Sequence, residues 1–426
     1  MNKYMLGILL GAFVVCNAYA DLYSALQDVY DSNPVIEQQR NAARAAAADV
    51  KSAHTGWQPY LGLTGNMGTA RTKIGDYTFD YSPAQYGIEF QQTLFQGFGT
   101  LAQIKGARGA LVAQRALLYA TQQDVFLSAI NAYIDVLNSG QVLKLNENNQ
   151  RVLREYYDFV RDQASVGRLT KTDVASASAR LEMAAYNVSS ASAQYDNALE
   201  TFRRIYGDTL TEYPDISLTP VADLFPESVE VAMDVALQTH PTLLALAAQE
   251  SAARENIVVA RKSMLPRVDV RGAVQQMDDL PYVDKLRDSR IGLYISVPIY
   301  DRGNAVANVE RVRYTVAGIQ DQIINARRVI VENLRSAWNM YDAQDAAISA
   351  ADASVRAAKM ALGGTRDEQV RGRRTVLDVL DAEQEVLQSQ VALTRAKHAR
   401  IAAYFAILAA TGKLTPENLG LVTDEE

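Results

Sequence analysis

The sequence of 426 residues is poor in the residues that most often carry enzyme chemistry. It contains one cysteine, Cys16, and three histidines, at His54, His240 and His398. The histidines are far apart, and none has a second metal-ligating residue at the spacing that zinc sites use. No G-x-S-x-G, H-E-x-x-H or Walker A sequence occurs. The sequence therefore predicts no catalytic residue, no metal and no cofactor.

Long apolar runs are also absent. After residue 20 no apolar run reaches the roughly 18 residues that a membrane-spanning helix needs. Residues 1–20 have the pattern of a cleavable signal peptide, with Lys3, an apolar core from Met5 to Val15, and Ala18-Tyr19-Ala20. An uncleaved anchor is the alternative, but the apolar core is too short for it. Cys16 lies inside this segment, so the mature chain has no disulfide and depends on packing.

Positively charged residues are also fewer than negatively charged ones, 42 against 49. The net charge is −7, with 48% hydrophobic and 21% charged residues. This composition excludes a disordered chain and a helical membrane bundle. An acidic chain is a poor candidate for binding nucleic acid.

The most informative stretch runs from Gln369 to Asp381 and predicts a turn that opens a helix. Gly372 allows the turn. Thr375 is a candidate N-cap with Asp378, three residues on, as its capping-box partner. Asp381 follows at a further i+3 step, so both carboxylates lie on one helix face.

An echo of this stretch lies 205 residues earlier. The matched residues are Gly167, Arg168, Thr170, Asp173 and Val174 against Gly372, Arg373, Thr375, Asp378 and Val379. Pro34 and Pro59 match Pro241 and Pro266 at an offset of 207. Chance similarity between alanine-rich helices does not place paired prolines and glycines at the same element boundaries. The sequence therefore predicts an internal duplication.

Each predicted repeat contains a helix, a β-hairpin, a long helix, a tight turn and a second helix. The predicted divisions are a signal peptide (1–20), a first repeat (21–213, strands about 60–73 and 84–96), a linker (214–226), a second repeat (227–418, strands about 266–277 and 289–300) and a tail (419–426). A polar loop is predicted between Gly75 and Ser82. The first long helix has roughly 67 residues, or about 100 Å at 1.5 Å per residue.

The predicted strands alternate between apolar and polar residues. In the second hairpin Val268, Val270 and Val274 share one face, whereas Arg267 and Asp269 face the other way with Arg271. A soluble hairpin packed on helices is one interpretation. The predicted signal peptide and the predicted long helix favour the other interpretation, in which each strand has one face in lipid and one in water. Four strands cannot close a barrel, so a dimer of eight strands or a trimer of twelve is needed, and only the trimer has a lumen.

Four motifs carry a resemblance to a known family. They are Trp57-Gln58-Pro59, Met264-Leu265-Pro266, the strand exit from Leu94 to Gly99, and Thr375 to Ala382. With the duplicated order they resemble the TolC family of trimeric outer-membrane efflux ducts. The resemblance implies a mainly α chain with a β-barrel portion, in which a homotrimer forms a 12-stranded barrel in outer-membrane lipid, continuous with a coiled-coil periplasmic tunnel. The implied partners are a periplasmic adaptor (membrane fusion) protein and an inner-membrane ABC or proton-driven pump.

The resemblance also implies site residues. The entrance aspartate rings are Asp378 and Asp381, the entrance latch is Asp173, Arg374 and Gln369, and the adaptor-contacting tips are Val166, Gly167, Arg371, Gly372 and Arg373. Gln369 stands where a member of the family carries a tyrosine that shares this link, so this part of the latch differs. Helix capping alone is the alternative for Asp173 and Asp378, and a solvated charge is the alternative for Arg374. Rings of carboxylates predict cation preference and block by multivalent cations.

The predicted function is the passive exit duct of a tripartite export system, for type I protein secretion, drug efflux or both. A soluble periplasmic coiled-coil adaptor is the main alternative. An enzyme is a further alternative, because Gly97-Phe98-Gly99-Thr100-Leu101-Ala102 follows a strand and imitates a dinucleotide fingerprint. The helix after it is too long for a βαβ unit. Val15 before Cys16 argues against a lipidated cysteine and favours the secretion branch.

Overall fold

A computed structural model describes residues 22–207 and 215–423 of the chain. The predicted signal peptide lies outside the described residues. The first residue of the predicted linker and the last three residues of the tail also lie outside them.

The two halves share one order of helices and long strands, and the first half has two additional short strands. The first half has α1 (Leu22–Ser32), α2 (Pro34–His54), β1 (Tyr60–Met67), β2 (Ala70–Ile74), β3 (Tyr77–Tyr81), β4 (Ala84–Gln96), α3 (Gly99–Ser165) and α4 (Lys171–Tyr206). The second half has α5 (Val229–Thr239), α6 (Pro241–Arg261), β5 (Arg267–Leu280), β6 (Val283–Ser296), α7 (Asn304–Val370) and α8 (Val376–Ala410). Corresponding helices α1 and α5 have 11 residues, α2 and α6 have 21, and α3 and α7 have 67. The predicted duplication is confirmed.

Matching caps begin the second helix of each half. Asn33 and His240 precede a proline at the first helical position, and their side chains accept hydrogen bonds from the amides of Val35 and Thr242. Proline suits this position because its missing N–H has no intrahelical partner to lose. The same boundary chemistry therefore produces the same local structure twice.

The long helices pack as two antiparallel pairs, α3 with α4 and α7 with α8, and α3 also runs along α2, α6 and α8. The largest hydrophobic core lies near the middle of the shaft. There α1, α3, α4 and α8 bury large side chains, among them Phe126, Tyr133, Phe202 and Phe405. No helix in residues 22–207 and 215–423 has the length and apolar character to span a membrane.

The four longest strands form one antiparallel sheet in the order β1-β4-β5-β6. The pairing of β4 with β5 joins the two halves of the chain, and it contains one register shift between Thr93 and Phe95. The outer strands β1 and β6 each pair on one side only within the described chain. The sheet therefore has two open edges.

The structure corrects the predicted strand boundaries. The segment predicted as a polar loop between Gly75 and Ser82 contains β3, which pairs with β2 in a separate two-stranded sheet. Aromatic residues alternate along β3, and this pattern favours a strand. In the second hairpin the two strands reach a tight turn at Pro281-Tyr282, whereas the sequence predicted a longer connection. β6 ends at Ser296 rather than near residue 300, since Pro298 cannot donate to a ladder.

Candidate functional site

The turn between α3 and α4 is a compact helix ending. Gly167 has φ +75°, which a residue without a Cβ adopts at little cost. Its amide donates to the Ala164 carbonyl at 3.0 Å, and the Arg168 amide donates to the Gln163 carbonyl at 3.0 Å. These two bonds are those of a Schellman motif. We call residues 166–170 the first tip turn; its Val166 side chain is 66% exposed.

The turn between α7 and α8, residues 371–375, repeats this geometry and forms the second tip turn. Gly372 has φ +74°, its amide donates to the Gln369 carbonyl at 2.9 Å, and the Arg373 amide donates to the Glu368 carbonyl at 2.9 Å. Arg371 and Arg373 are exposed. Both tips thus present an exposed surface on a rigid turn, but the first carries Val166 where the second carries Arg371.

A capping box begins the helix after each tip turn. The Thr375 hydroxyl accepts from the Asp378 amide at 3.2 Å, and the Asp378 carboxylate accepts from the Thr375 amide and hydroxyl, both at 2.8 Å. These bonds, with Arg374 nearby, hold the pKa of Asp378 below its usual range. Thr170 and Asp173 form the same box, with bonds of 2.8 to 3.2 Å. Asp173 and Asp378 therefore act as helix caps, as the capping interpretation predicts.

Asp381 has a partner that the sequence did not indicate. Its carboxylate pairs with the guanidinium of Arg180, on α4, at 2.5 Å between Oδ1 and Nη2. The side chains of Arg180 and Asp381 are 37% and 57% exposed. The pair joins the two halves of the chain close to the tips.

Within one protomer the structure does not bring the three latch residues together. Arg374 pairs with Glu368 at 3.0 Å, and this carboxylate raises the pKa of the Arg374 guanidinium. The Asp173 carboxylate serves its own cap. The Gln369 side chain is half-buried and has no hydrogen-bond partner among the residues described. Arg374 and Asp173 thus have separate partners within the chain.

A small apolar core supports the two tips. Val160 on α3 and Ala177 and Ala184 on α4 are buried with Val376 and Leu380 at the start of α8. Small side chains on α4 let the backbone of α8 approach closely. This contact places the first turns of α8 against both helices of the first pair.

A second ion pair lies beside this core. Glu383 is 7% exposed and pairs with Arg366 of α7. Tyr156 of α3 packs nearby, where burial raises the pKa of its hydroxyl to about 12. Its hydroxyl has no hydrogen-bond partner in the described part of the chain. The pair ties α7 to α8, whereas Tyr156 adds apolar contact from the first half.

The main sheet has one apolar face and one polar face, as the alternation of residues predicts. Leu63 pairs across from Ile88, which in turn pairs with Val274, so the three lie on one face. They are exposed by 85%, 49% and 60%, and Ile291 on β6 by 79%. A broad exposed apolar surface of this kind marks contact with lipid or with another protein.

The polar face is held by hydrogen bonds between strands. Asp269 is 2% exposed and accepts from Thr93 at 2.8 Å, from Arg267 at 2.9 Å and from Arg271 at 3.1 Å. Arg271 also lies over the ring of Tyr294, 5.2 Å from its centroid. This cluster fixes the register of the seam between β4 and β5. Alternation had placed Asp269 on the polar face, but nothing in the sequence indicated its burial.

Comparison with known proteins gives a consistent result. A family model described as "Outer membrane efflux protein" matches residues 25–208 and 232–413. The outer membrane efflux protein BepC of Brucella suis is 30% identical over 94% of this chain and 87% of its own. The outer membrane protein TolC of Salmonella enteritidis is 26% identical over 97% and 86%.

A solved structure has the same fold. The Campylobacter jejuni CmeC outer membrane channel superposes with a TM-score of 0.82, at 16% identity, over 92% of this chain and 86% of that one. The two stretches matched by the family model begin 207 residues apart and end 205 residues apart, the offsets that relate the paired residues of the two halves. The chain therefore belongs to the outer membrane efflux protein family, the family of TolC.

Proposed function

We propose that three copies of this chain form the exit duct of a tripartite export system in the outer membrane. The observation that carries the proposal is a four-stranded sheet with an exposed apolar face and two open edges, attached to 67-residue helices. An open sheet edge is not tolerated in lipid, because its N–H and C=O groups have no water to bind. Pairing β1 of one copy with β6 of the next removes both open edges of the four-stranded sheet.

The number of copies follows from the size of the pore. All pairings within the sheet are antiparallel. In a ring of four-stranded units the strand direction therefore alternates for any number of copies. Two copies would give eight strands, whose interior side chains fill. Three copies give twelve strands and a water-filled lumen lined by the polar face. The helices, about 100 Å long, would continue this lumen into the periplasm. The predicted signal peptide would direct the export of the chain.

The tips of the helix pairs would then form the entrance. Asp378 and Asp381 would line it as two rings, and Arg374 would reach Asp173 of a neighbouring protomer to hold it closed, with Gln369 beside them. The exposed tip residues Val166, Gly167, Arg371, Gly372 and Arg373 would meet a periplasmic adaptor. An ABC or proton-driven pump in the inner membrane would supply energy and select the cargo.

A pair of substitutions on one strand tests the position of the sheet in lipid. Ile291 and Arg290 are adjacent on β6 and lie on opposite faces. Ile291→Arg places a charge near the middle of the apolar face, at a cost of about 2–4 kcal/mol per copy in lipid. We expect it to reduce heat-modifiable trimers in outer-membrane fractions, whereas the inverse change Arg290→Ile leaves them intact.

The alternative, a soluble periplasmic coiled-coil adaptor, gives the opposite result. In water the exposed Ile291 tolerates arginine, and the protein fractionates with the periplasm. A purified protein that stays monomeric in detergent and conducts no current in planar lipid would contradict the duct. A deletion strain tested for lost protein secretion and for drug sensitivity distinguishes the two kinds of cargo.

A further inference from the structure

The first turns of α8 carry three carboxylates with three different kinds of partner. Asp378 is bound by the cap residue Thr375 of its own helix. Glu383 is bound by Arg366, which belongs to the same helix pair. Only Asp381 is bound by a residue of the other helix pair, Arg180, 201 positions away in the sequence.

The position of Arg180 on α4 is set by its neighbours. Ala177 and Ala184 lie three residues before and four residues after it, and both are buried against the start of α8 in the apolar core below the tips. Residues at these spacings share a helix face. The alanines bring the two helices close, and the longer Arg180 side chain reaches Asp381 from the margin of that contact.

An ion pair of this kind changes the field around Asp381. A carboxylate alone attracts a cation over several ångströms, whereas a carboxylate 2.5 Å from a guanidinium nitrogen acts at a distance as a dipole. Both side chains are partly exposed, so the pair is accessible to ions in solution. Asp378 forms no ion pair of its own, because its hydrogen-bond partners at Thr375 are uncharged. The nearby Arg374 makes its ion pair with Glu368 instead.

We propose that Arg180 determines the ion specificity of the entrance by neutralising Asp381 in the arrangement described above. The inference rests on the proposed duct, in which three copies surround one opening. The closed entrance then presents one net ring of three negative charges, from Asp378, instead of two. Movement of α8 away from α4 would break the pair and expose three carboxylates and three guanidiniums to the passing solution.

The experiment uses full-length trimers in planar lipid bilayers. It measures the reversal potential in a potassium chloride gradient and the concentration of a trivalent lanthanide that halves the current. In Arg180→Gln we expect stronger cation selectivity and a half-blocking concentration lowered on the order of tenfold, because three carboxylates gain net charge. Arg180→Lys keeps the charge and behaves as the wild type.

A matched control removes an arginine without touching this pair. Arg356 pairs with Asp352 on the same helix, four residues away, and Arg356→Gln changes the net charge by the same amount. We expect little change in block. The exchanged pair Arg180→Glu with Asp381→Arg restores wild-type block if the two side chains act on each other, and it also separates the effect of charge from misfolding.

Three outcomes overturn the inference. The first is that Arg180→Gln and Arg356→Gln change the half-blocking concentration equally. The second is that Arg180→Lys fails to preserve wild-type block. The third is that the exchanged pair stays as sensitive to the lanthanide as Arg180→Gln. If the wild-type protein conducts normally in each of these cases, the inference about Arg180 fails but the proposed duct is not contradicted. A wild-type protein that does not conduct at all contradicts the duct itself, and this inference with it.

Discussion

Replacing Asp269 with asparagine tests the polar cluster at the seam between the two halves. The substitution keeps the shape of the side chain and one acceptor oxygen, so the bond from Thr93 persists. It removes the charge that holds Arg267 and Arg271, which bind the carboxylate at 2.9 and 3.1 Å. Asp269 is 2% exposed, and water therefore has little access to compensate.

The size of the effect follows from burial. Breaking a buried ion pair by removing one partner costs roughly 3–5 kcal/mol. The side chains of Arg267 and Arg271 are 45% and 50% exposed, so both guanidiniums regain hydration. We therefore expect a loss of about 2 kcal/mol per protomer, near the value of one hydrogen bond to a charged group.

The assay is thermal unfolding of the detergent-solubilised protein, followed by circular dichroism and by loss of the band of the proposed trimer on unheated gels. Asp80→Asn is the matched control. Asp80 pairs with Arg71 on the β2–β3 hairpin, where the side chains are 64% and 75% exposed, so its loss costs below about 1 kcal/mol. Equal shifts for the two variants would show that burial of Asp269 contributes nothing to the seam.

Three further predictions concern the caps, the core and the latch. Burial lowers the pKa of His240 from 6.5 to about 4, so stability is lost as the pH falls from about 6.5 towards 4. His240→Asn, which introduces the cap residue that the first half has at Asn33, should flatten this loss in melting curves at pH 5 and pH 7; an unchanged pH dependence would contradict it. Leu380→Ala should cost about 2–4 kcal/mol, because Leu380 is 1% exposed, and Leu377→Ala, at a 51% exposed position, below about 0.5; similar unfolding midpoints would argue against the tip core. Arg374→Ser should raise single-channel conductance, and an unaltered closed state would count against the latch.

The sequence predicted the elements whose signals are local. The first long helix was predicted to have roughly 67 residues, and α3 has 67. Glycine at the turn and threonine with aspartate three residues on predicted both tips, because helix ends are decided by a few neighbouring residues. The duplication was visible for the same reason: the boundary residues repeat along the chain.

Contacts between residues far apart in the chain could not be predicted from the sequence. Arg180 and Asp381 are 201 residues apart, and no periodicity relates them. β3 was missed because the turn residues at Gly75 and Ser82 on either side of it suggested a loop, although Tyr77, Phe79 and Tyr81 alternate along the strand. The burial of Asp269 depends on two arginines and a bulged neighbouring strand, which only the folded sheet brings together.

The order of the strands has a consequence for biogenesis. β4 ends at Gln96 and its partner β5 begins at Arg267. If the chain is exported as proposed, the first hairpin would cross the inner membrane long before β5. During this interval the apolar side chains of the first hairpin would be exposed to water. The edge of β4 would also be unpaired, and both conditions promote aggregation. We therefore expect maturation to depend on a periplasmic holdase that shields the early hairpin until the C-terminal half arrives.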